Sequence, residues 1–148
     1  MPHFGLMDPE KLNPAEAALQ RCRLHLRSGK RRIRQGKISA GVATLYDAFI
    51  HAMKWYLLAH PQVNSGQTAI DMDRDDEDIL FDCLVRSGVI TTPFDFQTFN
   101  RLMHESLENR LMEGEYRGLI AAIERVMVEL EVMPFDEDTL PPEDSRTF

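Results

Sequence analysis

Between Ile38 and His60, apolar residues fall on almost every side of a helix. The segment GVATLYDAFIHAMKWYLLAH follows Ser39, which stands as a cap, and stops at His60-Pro61, because the residue before a proline is pushed out of helical geometry. Val42, Leu45, Tyr46, Phe49, Ile50, Met53, Trp55, Tyr56 and Leu57 cover more than a single stripe. A helix apolar around its circumference must be contacted from several sides. This one is therefore expected to be the central rod of a helical bundle.

The rest of the chain carries the punctuation of further helices. Asn13-Pro14-Ala15-Glu16 combines a side-chain acceptor, a proline at the first helical position and a carboxylate three residues after the cap. Ala15, Leu19, Cys22, Leu26 and Ile33 then recur on one face, predicting a helix from Pro14 to about Gln35. Gly29 is the interior residue that costs this helix most, the place where a break or kink would fall, and Gly36 is the stop. Asp75 and Asp78 precede Ile79, Leu80, Cys83 and Leu84, a short helix closed by Ser87-Gly88. Thr92-Pro93-Phe94-Asp95 opens a fourth, with Phe96, Phe99, Met103, Leu107 and Leu111 carrying it to about Met112. Gly114 separates it from a last helix bearing Leu119, Ile120, Ile123, Met127 and Leu130, which ends before Pro134. No Val/Ile/Thr alternation is long enough for a strand. The expectation is an all-α, up-and-down bundle of about five helices in one domain, residues 1–134, followed by an acidic, poorly ordered tail, residues 135–148.

A chain of 148 residues buries enough surface to fold without a disulfide or metal staple. Cys22 and Cys83 each lie in an apolar-periodic stretch, where a free thiol behaves as a small hydrophobe, and a reducing compartment follows. The N-terminus has no basic region followed by an apolar run, and nowhere do eighteen apolar residues occur together, so a cytoplasmic protein that does not span a membrane is expected.

Charge is distributed unevenly. Residues 1–60 hold 10 Lys and Arg against 4 Asp and Glu, and the remainder holds 7 against 20. The basic excess is concentrated between Arg21 and Lys37, where eight cations occur with no acidic residue. On a helical wheel Arg23, Arg27, Lys30 and Arg34 form a row, with Arg31 farther round the same non-core side. Arginine offers phosphate or carboxylate a planar fork of donors and stays charged in any surrounding. The row Arg23, Arg27, Lys30, Arg31 and Arg34 is thus the candidate surface for an anionic partner, RNA among them. The competing expectation is that these cations pair with the acidic half of the same chain.

Other chemistry is poorly represented. Asp71, Asp73 and Asp75 have the first spacings of a calcium loop, but Asp76 stands where that loop needs glycine and Asp82 where it needs glutamate. His3, His25, His51, His60 and His104 are dispersed and the cysteines have no close partner, so neither a metal nor a cofactor is expected. His51 follows Asp47 by one helical turn, a spacing that allows contact. Arg101, His104 and Glu108 share one face of the fourth helix.

The stretch LHLRSGKRRIRQGKISAGVATLYDAFIHAMKWYLL resembles the HEPN family, with Tyr46, Ala48, Phe49 and Ala52 in the equivalent places. The likeness covers residues 13–60, about a third of the chain. It implies a four- or five-helix bundle, frequent dimers, and roles that range from RNA cleavage to non-catalytic partnership with a nucleotidyltransferase. In the nuclease members, an Arg and a His separated by four to six residues meet across a dimer interface around a scissile phosphate. Here Arg101 and His104 are separated by two residues and Arg21 and His25 by three, so the motif does not carry over. The leading expectation is a non-catalytic, homodimeric helical-bundle interaction protein, with Leu24 among its candidate contacts. The alternatives are a metal-independent ribonuclease using Arg101 and His104, and a sensor of a phosphate ligand with a pocket beside Arg31 and Arg32.

Overall fold

The computed structural model describes residues 12–63, 77–107, 115–144 and 146. These form an all-α bundle of five helices: α1 (Pro14–Arg34), α2 (Ile38–Ala59), α3 (Glu77–Arg86), α4 (Phe96–Leu107) and α5 (Glu115–Glu129). A short 3-10 turn, Glu137–Thr139, follows, and no strand occurs among the described residues. The segments around Asp71–Asp75 and Glu108–Met112, which entered the helix and calcium arguments, lie outside the described residues.

α1 starts as its sequence predicts. Asn13 Oδ1 accepts the Glu16 N–H at 2.8 Å, the Asn13 side-chain amide donates to Glu16 at 2.8 Å, and Pro14 occupies the first turn. The helix closes at Gly36, whose φ of 79° gives a left-handed terminus with Lys37 N–H bonded to the Arg32 carbonyl. Helix α1 runs unbroken through Gly29, in keeping with a helix read from Pro14 to about Gln35. One expectation is corrected: α2 starts at Ile38 with Lys37 at its cap position and no side-chain capping bond, so Ser39 is no cap.

Gly29 has a packing reason instead. The three residues between α1 and α2 turn the chain back on itself, so that Gly29 meets Leu45 and Gly41, Arg32 meets Thr44, and His25 meets Asp47. The pairing descends α1 as it ascends α2, which makes the two helices antiparallel. A Cβ built on Gly29 would lie 2.9 Å from Leu45 Cδ2, and one on Gly41 would strike Ile33 and come within 3.1 Å of the Gly29 carbonyl. Two glycines facing each other let the backbones approach more closely than side chains would allow.

α2 is the central rod, as its composition required. Val42, Leu45, Ala48, Phe49, Ala52, Met53 and Leu57 are all buried to 2% exposure or less, joined by Leu80 and Leu84 of α3, Phe96, Phe99 and Leu102 of α4, and Ile123, Val126, Met127 and Leu130 in and after α5. Phe49 sits at the centre of an aromatic cluster, with ring centroids 5.3 to 6.2 Å from Phe81, Phe94, Phe96 and Phe99. α5 is closed just past its end by Glu131, held at φ 64°, with Val132 N–H bonded to the Met127 carbonyl. No helix among the described residues is long and apolar enough to cross a membrane.

Candidate functional site: the basic face of α1

The cations of α1 divide according to the side of the helix they occupy. Cys22, Leu26, Gly29 and Ile33 face α2. Arg21, His25 and Arg32 border that seam on one flank, and Arg23 and Lys30 on the other. Arg27 and Arg31 lie on the side opposite α2.

The segment after α5 covers that far side. Residues 135–144, set apart by composition as an acidic tail, run along α1. Arg23 Nε donates to the Val132 carbonyl at 3.2 Å and its guanidinium stands 5.3 Å from the Phe135 ring centroid. Arg27 Nη2 donates to the Pro141 carbonyl at 2.6 Å, and Arg31 Nε pairs with Glu143 at 3.2 Å. Lys30 reaches Glu124 of α5 at 3.1 Å. Arg27 and Arg31 are consequently buried, at 9% and 8% exposure, while Arg34 at the end of the row is exposed. Arg32 donates to Thr44 Oγ1, and burial lowers its guanidinium from the ordinary value, with the Arg31 charge acting in the same direction. Leu24 has no exposed surface, which overturns its role as an outward partner contact.

A groove of about 580 Å³ opens between α1 and this strap, lined by Leu19, Gln20 and Arg23 on one wall and by Thr139, Leu140 and Pro141 on the other. It lies beside Arg23; neither Arg31 nor Arg32, where a phosphate sensor was expected to have its pocket, lines it.

On the other flank of α1 is a polar cluster that sequence reasoning caught only in part. Asp47 of α2 has His25 Nδ1 2.8 Å from its Oδ2, His51 Nδ1 at 3.3 Å and Arg21 Nε at 3.3 Å. His51 Nδ1 is also 2.8 Å from the Asp47 backbone carbonyl. Partial burial pushes the Asp47 carboxyl up, but the hydrogen bonds and charges of the two imidazoles outweigh it and hold the group far below the usual carboxylate range. A carboxylate that fixes an imidazole through Nδ1 is the arrangement that orients histidine for proton transfer. None of these four side chains lines the groove, however, and the His25 side chain is only 5% exposed. Their geometry suits a clamp between α1 and α2. Cys22 is fully buried beside them, and burial raises its thiol far above the ordinary value, which leaves it unreactive.

Arg101 and His104 are both exposed on α4. Arg101 Nη1 is bound to Glu105 at 2.6 Å, and no hydrogen bond or ion pair joins either residue to the other or to the cations of α1. α4 packs on α2. Among the described residues no group of three His, Cys, Asp or Glu side chains is placed to hold a metal ion. No protein-family model, curated protein or solved structure matches this chain.

Proposed function

We propose that this protein is a non-catalytic helical-bundle interaction protein that receives an anionic partner on the basic side of α1. The observation that carries this reading is the row of Arg23, Arg27 and Arg31, which runs from one flank of α1 to the side opposite α2, under a peptide segment in which no residue from Met133 to Asp144 is fully buried. A packed core would not place three guanidiniums in a row; a receptor for negative charge would. The exposed apolar side chains Ile79 and Val85 of α3 and Val128 of α5 are the surfaces on which a homodimer would form.

The test is a titration of the full chain into fluorescent acidic peptides, short RNA and short DNA at about 50 and 200 mM salt, read by anisotropy and then on a denaturing gel. Binding that weakens as salt rises, with every probe left at full length, is the expected result. Shortening of RNA that is lost in His104→Ala would replace this reading with a ribonuclease, and absence of any binding at low salt would remove it. Sedimentation velocity tests the dimer separately, and a strict monomer at micromolar concentration would refute it.

A further inference from the structure

The three arginines on the covered side of α1 are not equally satisfied. Arg31 has a carboxylate, Glu143. Arg27, nine-tenths buried, has only the neutral Pro141 carbonyl, and its Nε is buried with no hydrogen-bond partner. Arg23 has the Val132 carbonyl and the face of Phe135. No carboxylate among the described residues pairs with Arg23 or Arg27. A buried cation answered by a neutral acceptor is poorly compensated, and exchange of that acceptor for an anion is favourable.

The spacing shows what kind of anion fits. Arg23, Arg27 and Arg31 follow one another at four-residue steps, about 6 Å along the helix axis. An extended chain advances about 3.1 to 3.3 Å per residue, so every second residue of such a peptide keeps pace with one turn of α1. The strap already does this over one step. Pro141 lies at Arg27 and Glu143, two residues on, at Arg31, both chains running in the same direction. Leu140 is extended, at φ −86° and ψ 153°, and Thr139 reaches the groove that Arg23 lines. Before Leu140 the chain winds into the Glu137–Thr139 turn and leaves this path.

We propose that the Arg23, Arg27 and Arg31 row is the receptor for an extended acidic peptide of a partner protein, with carboxylates at every second residue, and that the chain's own residues 139–143 are its weaker internal occupant. The inference rests on the interaction reading above and names the partner's chemistry. The strap supplies one carboxylate where the row takes three, and beyond Phe135, which packs against the core, its residues 139–143 have no fully buried side chain to anchor them, so a better-matched peptide displaces them.

The experiment uses the full chain and labelled peptides in anisotropy. One peptide carries the strap sequence of residues 137–144, a second the same sequence with Thr139→Glu and Pro141→Glu, and a third the residues of the second with its Leu and Pro moved together to the third and fourth positions, which groups the acids so that no three stand at alternate residues. The alternating peptide is expected to bind at least about 10-fold more tightly than the strap peptide, and to lose about 10-fold with Arg27→Gln but not with Arg34→Gln. Glu143→Gln in the protein weakens the tethered competitor and should raise affinity for the alternating peptide several-fold. That variant lies outside the five helices and their hydrophobic core and is expected to leave the bundle intact, so it decides the matter even if Arg27→Gln does not fold. Equal binding of the grouped peptide would overturn the register while leaving the interaction reading in place. Tightest binding by the strap peptide would make the occupant a second copy of this chain, and tighter binding by single-stranded RNA would make it a nucleic acid; either overturns the proposal. If nothing binds the Glu143→Gln protein, the proposal and the interaction reading fall together.

Discussion

Asp47 concentrates more electrostatic obligation than any other single side chain described, since it faces two imidazoles and a guanidinium at once. Replacement by Asn keeps the shape and removes the charge, and is expected to cost about 2–3 kcal/mol in urea unfolding at pH 7, the scale of a charged hydrogen-bond partner removed from part-buried donors. The pH dependence has a definite sign. Because the folded carboxyl is held below its unfolded value of about 3.9, its contribution is fully present above that pH and is lost as pH falls towards the folded value. The gap between wild type and Asp47→Asn should therefore narrow below about pH 4; a constant gap down to pH 2 would show that the charge is not what matters. Glu129 is a second example on a smaller scale. Desolvation raises its carboxyl, yet hydrogen bonds from Thr91 and Thr92 prevail and bring it to about 2. Glu129→Ala should release the Thr91–Thr92 loop and cost roughly 1 kcal/mol.

At the scale of the element, the glycines make opposite predictions from the same substitution. Gly118 in α5 has nothing within 4 Å of an added Cβ, so Gly118→Ala should stabilise by roughly 0.5–1 kcal/mol. Gly41→Ala drives a methyl group into Ile33 and the Gly29 carbonyl and should destabilise by about 2 kcal/mol or more. Thermal unfolding of the two variants side by side checks both, and equal shifts would refute the close crossing of α1 and α2. The same helices show what the sequence can and cannot reveal. The Asn13-Pro14-Glu16 start and the Gly36 stop were legible because capping depends on residues within one turn, and α2 was legible as the central rod because burial on all sides leaves a composition on all sides. Ser39 misled because a good capping residue is also an ordinary residue of a helix's first turn, where it stands second in α2. Of the Asp47 cluster, periodicity could find His51, one turn away on the same helix, but neither His25 nor Arg21 on α1. A signal for His25 did exist. The connection between the helices has three residues, and counting eleven positions outward from Gly36 in each direction reaches His25 and Asp47.

Across the whole molecule the uneven charge resolves into contacts between distant parts of the chain. Lys30 with Glu124 and Arg31 with Glu143 join the basic first helix to the acidic remainder, the outcome that competed with a free basic face. Composition marked residues 135–148 as poorly ordered because low apolar content and high charge ordinarily describe a segment that cannot bury itself. It could not register that the opposing cations were more than a hundred residues away. The strap is nonetheless the weakest part of the described fold, since it contributes no buried side chain. Amide hydrogen exchange should be faster at residues 136–144 than at residues 42–57 by at least about two orders of magnitude. Arg31→Gln should accelerate the strap amides further while leaving those of α2 unchanged. Uniform protection across both segments would refute this gradient.

The separation of 112 residues between Arg31 and Glu143 also orders events during synthesis. α1 and α2 can pair as soon as residue 60 is free, but the acceptors for Arg27 and Arg31, Pro141 and Glu143, emerge only after the five helices. At about 5–20 residues per second, roughly 6 to 20 s pass between translation of Arg31 and of Glu143. For that interval a newly made α1 has no strap to cover Arg27 and Arg31, and the row is open to an acidic partner before its internal occupant exists.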